Sequence, residues 1–112
     1  MGHNHDLVKE LGTSGMDLRK RIPDVYAGFS EMHKASMADG ALDRVTKELI
    51  ALAISVTEQC DGCIASHARG AARKGATEEQ VAEAIGVAIM LSGGPGTAYG
   101  PRAWDAFKEF VA

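Results

Sequence analysis

The sequence is short of several things, and each shortage removes a class of protein. Only two cysteines occur in 112 residues, at Cys60 and Cys63. A bond between residues three positions apart closes so small a loop that it would restrain the unfolded chain little, so stapling the fold does not explain them. No apolar run approaches the roughly 20 residues needed to span a bilayer, which argues against a membrane protein. Basic residues cluster only at Arg19-Lys20-Arg21, too few for a nucleic-acid footprint. The first residues, Met1-Gly2-His3-Asn4-His5-Asp6, lack the basic-then-apolar order of a secretory signal. A cytoplasmic, reducing location is therefore expected, where a disulfide is usually transient and catalytic. Aromatics make up only 5% of the chain, leaving Ala, Ile, Leu and Val to carry the apolar mass. That mix favours closely packed helices over a sandwich of sheets.

What is present fits one domain over residues 1–112, close to the commonest domain size. Residues 1–20 read as a loosely docked lead-in, with a short helical turn at Leu7–Leu11. Pro23 suits the first turn of a helix. Val25, Phe29, Met32 and Ser36 come next at helical spacing, until Asp39-Gly40 supplies a stop. Asp43 is a candidate N-cap for a third segment. There Val45, Leu49, Leu52, Ala53 and Val56 mark one face, while Ile50 and Ile54 add a second, so residues 43–57 are apolar around most of their circumference. A fourth helix is expected over residues 60–74, with Gly75 just past its end. Thr77-Glu78-Glu79-Gln80 is a capping box that opens a fifth helix, with Val81, Ala84, Ile85, Ala88 and Ile89 on one face. Ser92-Gly93-Gly94-Pro95-Gly96 reads as its end and a flexible connection; no Lys-Ser/Thr comes after it, so it is not a phosphate loop. A last helix over residues 101–111 carries Trp104 and Phe107.

The expected fold is therefore all-α, a compact bundle of five or six helices joined by short antiparallel connections. The second, third and fifth helices should be buried. One short bundle cannot cover both the third and the fifth, so a homo-oligomer is expected.

The informative stretch is Cys60-Asp61-Gly62-Cys63-Ile64-Ala65-Ser66-His67. In a helix, positions i, i+3 and i+7 share a face, which would point both sulfurs and the imidazole of His67 into one place. Both cysteines would lie at the helix start, where free N–H groups and the dipole stabilise a thiolate. Glu48 sits at the edge of the apolar run Leu49–Ile54. A carboxylate facing a core needs a partner, and His67 is the candidate that it would orient.

Glu48, then eleven residues, then Cys60-x-x-Cys63, then three residues and His67 resembles the signature of the alkylhydroperoxidase D-like proteins of the carboxymuconolactone decarboxylase superfamily. The resemblance runs from about Pro23 to Gly96. It implies an all-α fold, oligomers of three or six subunits and reduction of hydroperoxides through a cysteine pair. In that scheme Cys63 attacks the peroxide oxygen and becomes a sulfenic acid, Cys60 condenses with it to a disulfide, and His67 and Glu48 relay protons. The partners are then a hydroperoxide or disulfide substrate and a thiol or dithiol electron donor, with no metal or other cofactor. One departure stands out. The best-known members carry a histidine directly before the second cysteine, where this chain has Gly62, so the relay is shorter or rebuilt.

Other readings of the same residues compete with this one. A zinc site could use two thiolates, His67 and one carboxylate, but structural sites mostly use more thiolates in two separated pairs. Haem attachment needs a histidine directly after the second cysteine, and Ile64 stands there. An acid–base enzyme acting on a small organic acid, as elsewhere in the superfamily, would have no use for the CxxC; nor would a non-catalytic helical binding module. His33, Tyr99 and Trp104 are candidates for lining a pocket, with core or interface packing as the plainer role for each.

Overall fold

Local signals fix where several helices begin. The Asp43 side chain accepts a hydrogen bond from the Thr46 N–H at 2.8 Å and starts a helix there. Thr77 and Gln80 cap each other reciprocally, satisfying two backbone donors that a helix start leaves free. In the computed structural model, which describes residues 2–112, six helices form: α1 (His3–Arg21), α2 (Pro23–Met37), α3 (Arg44–Thr57), α4 (Asp61–Arg73), α5 (Glu78–Ser92) and α6 (Gly94–Val111). No strand occurs among the described residues, so the all-α expectation holds. Among the described residues no helix is long and apolar enough to cross a membrane.

The core lies between α3, α4, α5 and α6. Leu52, Val56, Ile64, Val81, Ile85 and Phe107 are buried there beside the alanines at 68, 71, 88, 103 and 106. Those small side chains let the helices approach closely, so four short helices fill the interior without the help of α1 or α2.

Three expectations need correction. The run Gly93–Gly96 is not a flexible connection: α6 begins at Gly94, ahead of the expected Pro101. Gly93 makes the turn with φ of +69°, a conformation that favours glycine. Gly96 then lies against α5, where a Cβ would come within 2.8 Å of the Ile89 Cα. Gly96, with Gly100 one turn on, is thus a contact surface between α5 and α6. The second correction concerns residues 3–21, which form a 19-residue helix and not just one turn. Its start is held from the far end of the chain: the Glu109 carboxylate accepts from the backbone N–H of Asn4 (3.1 Å) and of His5 (2.7 Å), and from both side chains. Burial would raise the Glu109 carboxyl, but these bonds from His5 and Asn4 outweigh it and hold the group at about 2.

The third correction is α2, which is largely exposed where burial is expected. It buries only Met37, leaving Val25, Phe29 and Met32 at 64, 61 and 61% exposed. It packs lightly on α1 and α3, because the core is already complete without it. The helices α3 and α5 each bury one face, while Ile50, Ile54, Val87, Met90 and Leu91 point outward.

Candidate active site

The site is built where α3 ends and α4 starts. At that junction Gln59 adopts φ of +56°, and the N–H groups of Gln59 and Cys60 reach back to the carbonyls of Val56 and Ser55, each at 3.1 Å. This closing pattern satisfies the last carbonyls of α3 and turns the chain sharply. It also delivers Cys60 to the N-cap of α4, where its Sγ accepts from the Cys63 N–H at 3.2 Å. The two sulfurs are bonded to each other across this first turn. Cys63 is exposed and Cys60 half-buried, so the second cysteine is the outer one.

One turn further along α4, His67 meets Glu48 of α3. Glu48 is 2% exposed and takes two side-chain donors: His67 Nδ1 on Oε2 at 3.1 Å and Arg44 Nε on Oε1 at 3.0 Å. Burial pushes the Glu48 carboxyl up, but the hydrogen bonds and charges of His67 and Arg44 prevail, holding it below the ordinary carboxylate range. A charged carboxylate only accepts, so Nδ1 of His67 carries the proton of that bond. In the neutral ring Nε2 is then the basic nitrogen, the same tautomer logic that a carboxylate imposes in hydrolytic triads. Among the described residues His67 makes no hydrogen bond to either sulfur. Its ring lies over that of His33 from α2, with centroids 6.2 Å apart and planes 19° apart.

The structure thus brings Glu48 to His67 and Cys60 to Cys63, in keeping with their spacing. Two further members of the site escape a reading of the sequence alone. Arg44 shares Glu48 with His67, and its i,i+4 spacing from Glu48 is the signal available in the sequence. Gly70 faces the Glu48 carboxylate so closely that a Cβ would overlap it, lying 2.8 Å even from Oε1, the farthest of the carboxylate atoms it meets. Of the three aromatic candidates, His33 lines a cavity beside His67. Tyr99 supports Arg102, whose guanidinium lies 4.5 Å from its ring and pairs with Asp61, while Trp104 packs against Phe107. Gly62, which stands where the best-known members carry a histidine, is covered by Leu11 of α1: a Cβ there would come within 2.8 Å of the leucine Cδ1.

Fold and site together define a small all-helical protein with a cysteine pair at a helix start and a buried carboxylate–imidazole pair one turn away. The profile of the carboxymuconolactone decarboxylase family matches residues 23–110. The crystal structure of a carboxymuconolactone decarboxylase family protein from Legionella pneumophila superposes with a TM-score of 0.94 at 39% identity, covering 97% of each chain. A Paracoccus denitrificans protein, described as uncharacterized protein 4 in the cox locus, is 47% identical over 81 residues, 72% of this chain and 73% of that one. An alkyl hydroperoxide reductase AhpD from Corynebacterium kroppenstedtii is 38% identical over 52 residues, 46% of this chain and 30% of that one. The chain belongs to the carboxymuconolactone decarboxylase family, and it is similar over a shorter stretch to the hydroperoxide-reducing AhpD type.

Proposed function

We propose that the protein is a dithiol redox enzyme that reduces hydroperoxides through a Cys60/Cys63 cycle. The observation that carries this is a disulfide spanning the first turn of α4, one turn before an imidazole whose tautomer is set by a buried carboxylate. The short similarity to an alkyl hydroperoxide reductase supports it. In the cycle the Cys63 thiolate attacks the terminal oxygen of ROOH. The O–O bond breaks, ROH leaves with a proton relayed by His67, and Cys63 becomes a sulfenic acid. Cys60 then attacks the Cys63 sulfur, forming the S–S bond and releasing water. An external dithiol returns two electrons and two protons and is itself oxidised to a disulfide. Cys63 is the attacking sulfur because it is the exposed one and lies one turn from His67. Glu48 and Arg44 act through that ring as positioning residues.

Trapping with a dimedone-type reagent tests the order of events. Cys60→Ser should accept one peroxide equivalent and label on Cys63, whereas Cys63→Ser should not react. Label on Cys60 in Cys63→Ser, with none in the converse variant, would reverse the two roles. Intact thiols after peroxide treatment of the reduced wild type would remove the redox reading and favour acid–base chemistry on a small organic acid.

We also propose that the working form is a homo-oligomer. A 15-residue helix with one buried side chain is marginal in water on its own, as α2 is here. The outward apolar side chains of α3 and α5, with Met90 and Leu91 at 71 and 72% exposed, form a second uncovered face. Further copies of the chain would cover both.

A further inference from the structure

Beside His67 opens a cavity of about 310 Å³, lined from three helices: His33 of α2, Arg44 and Glu48 of α3, and Ser66, His67, Arg69, Gly70 and Arg73 of α4 with Lys74 at its end. That is at the lower end of the size range for small-molecule sites, which spans roughly 300–1,000 Å³. Its lining is unusual for a protein of net charge −3. Four cations, Arg44, Arg69, Arg73 and Lys74, face a single carboxylate, Glu48, which is already committed to Arg44 and His67. Among the described residues, Arg69, Arg73 and Lys74 have no ion-pair partner. Cations are favoured at the C-terminal end of a helix, which would explain Arg73 and Lys74 on α4 alone. It does not explain Arg69 a turn earlier, nor Arg44 and His33 arriving from other helices. Such a lining would desolvate an alkyl chain against charges, and it would pair an organic acid.

The cavity and the cysteines share one face of α4. Cys63, then Ser66 and His67, then Gly70, then Arg73 and Lys74 succeed one another at intervals of three or four residues. Ten residues of helix from Cys63 to Arg73 span about 15 Å, and side chains lean back towards the helix N-terminus by about a turn. We propose that this cavity holds the carboxylate end of the substrate, so that the hydroperoxide or disulfide acted on is an organic anion with its charged group roughly 10 Å from the reacting atom. The inference rests on the redox reading above and narrows it. It places simple neutral alkyl hydroperoxides among the poorer substrates.

The test uses glutarate as the anion and its neutral diamide, glutaramide, as the shape-matched control, titrated into the oxidised protein. The imidazole resonances of His33 and His67 are monitored by NMR. Glutarate should shift both in a saturable way and glutaramide should not. In the double variant Arg69→Gln/Arg73→Gln the affinity for glutarate should fall about tenfold or more, since charge-assisted contacts to a carboxylate are lost. Absence of saturable binding, equal binding of the diamide, or unchanged affinity in the double variant would each overturn the proposal. The redox reading is scored separately, by consumption of tert-butyl hydroperoxide and of a carboxylate-bearing hydroperoxide by the reduced protein. Reduction of both at equal rates without glutarate binding sinks the anion site and leaves the redox reading standing. Glutarate binding with neither peroxide consumed does the reverse.

Discussion

Gly70 is where the geometry of the site can be tested most sharply. In a helix interior, Ala is better than Gly by about 1 kcal/mol, so Gly→Ala normally stabilises. At Gly70 the added methyl would occupy space held by the Glu48 carboxylate. A carboxylate is the end of a flexible side chain and ordinarily moves aside. This one is 2% exposed and pinned by His67 at 3.1 Å and Arg44 at 3.0 Å, so moving it breaks hydrogen bonds to a charged, buried carboxylate. Each such bond is worth roughly 1.5–3 kcal/mol. Losing one or both, less the helix gain, leaves Gly70→Ala destabilised by about 0.5–5 kcal/mol. Gly86 is the control. It lies in α5 on the stripe of Glu79 and Glu83, with nothing near its Cβ position, and Gly86→Ala should gain about 0.5–1 kcal/mol. Urea unfolding of oxidised protein, at one fixed protein concentration because any assembly would add stability, measures both. A Gly70→Ala variant as stable as the wild type, beside a stabilised Gly86→Ala, would refute the pinned geometry of Glu48.

Features away from the cysteines yield two more expected outcomes. Glu109 has a folded value near 2 against an ordinary 4.5, so the stability it contributes is complete above about 4.5 and is lost as pH falls through about 2. The difference in unfolding midpoint between wild type and Glu109→Gln should therefore be full at pH 5 and above and close towards pH 2; a gap independent of pH would contradict the capping role. Ile54→Glu or Met90→Glu places a charge on the uncovered face of α3 or α5 and should lower the mass seen by sedimentation. A wild type that sediments as a monomer at micromolar concentration would remove the assembly argument.

The parts of the fold that are legible in the sequence are those decided within a turn or two. Asp43 and Thr77 each cap a helix that starts at the very next residue. Glu48 and His67 stand out because one edges an apolar run and the other is in register with two cysteines. The parts that are not legible depend on partners distant in the chain. The first helix contains Gly12, Thr13, Ser14 and Gly15, weak helix formers that read as a lead-in on propensity. What holds the start of the helix is Glu109, more than a hundred residues later. The glycine and proline run after α5 reads as a loop by composition, yet the missing side chain of Gly96, and of Gly100 a turn later, is what admits Ile89 and Ile85 against α6. The spacing of Val25, Phe29 and Met32 correctly marks an apolar helix face, but periodicity says only that a face wants cover, not which molecule supplies it.

The capping role of Cys60 would give the reductive half of the proposed cycle a direction. When a donor thiolate opens the bond, one sulfur takes the donor and the other departs with the electron pair. Cys63 is the sulfur open to approach, and Cys60 is the one that receives the Cys63 N–H at the positive end of α4. A departing thiolate stabilised in that position leaves faster. The mixed disulfide with the donor should therefore form on Cys63, with Cys60 as the leaving group. Alkylation of a trapped mixed disulfide, and then mass spectrometry, should find the free thiol at Cys60. In the proposed cycle the same exposed atom would meet oxidant and reductant in turn, and the capped one would never need to face solvent.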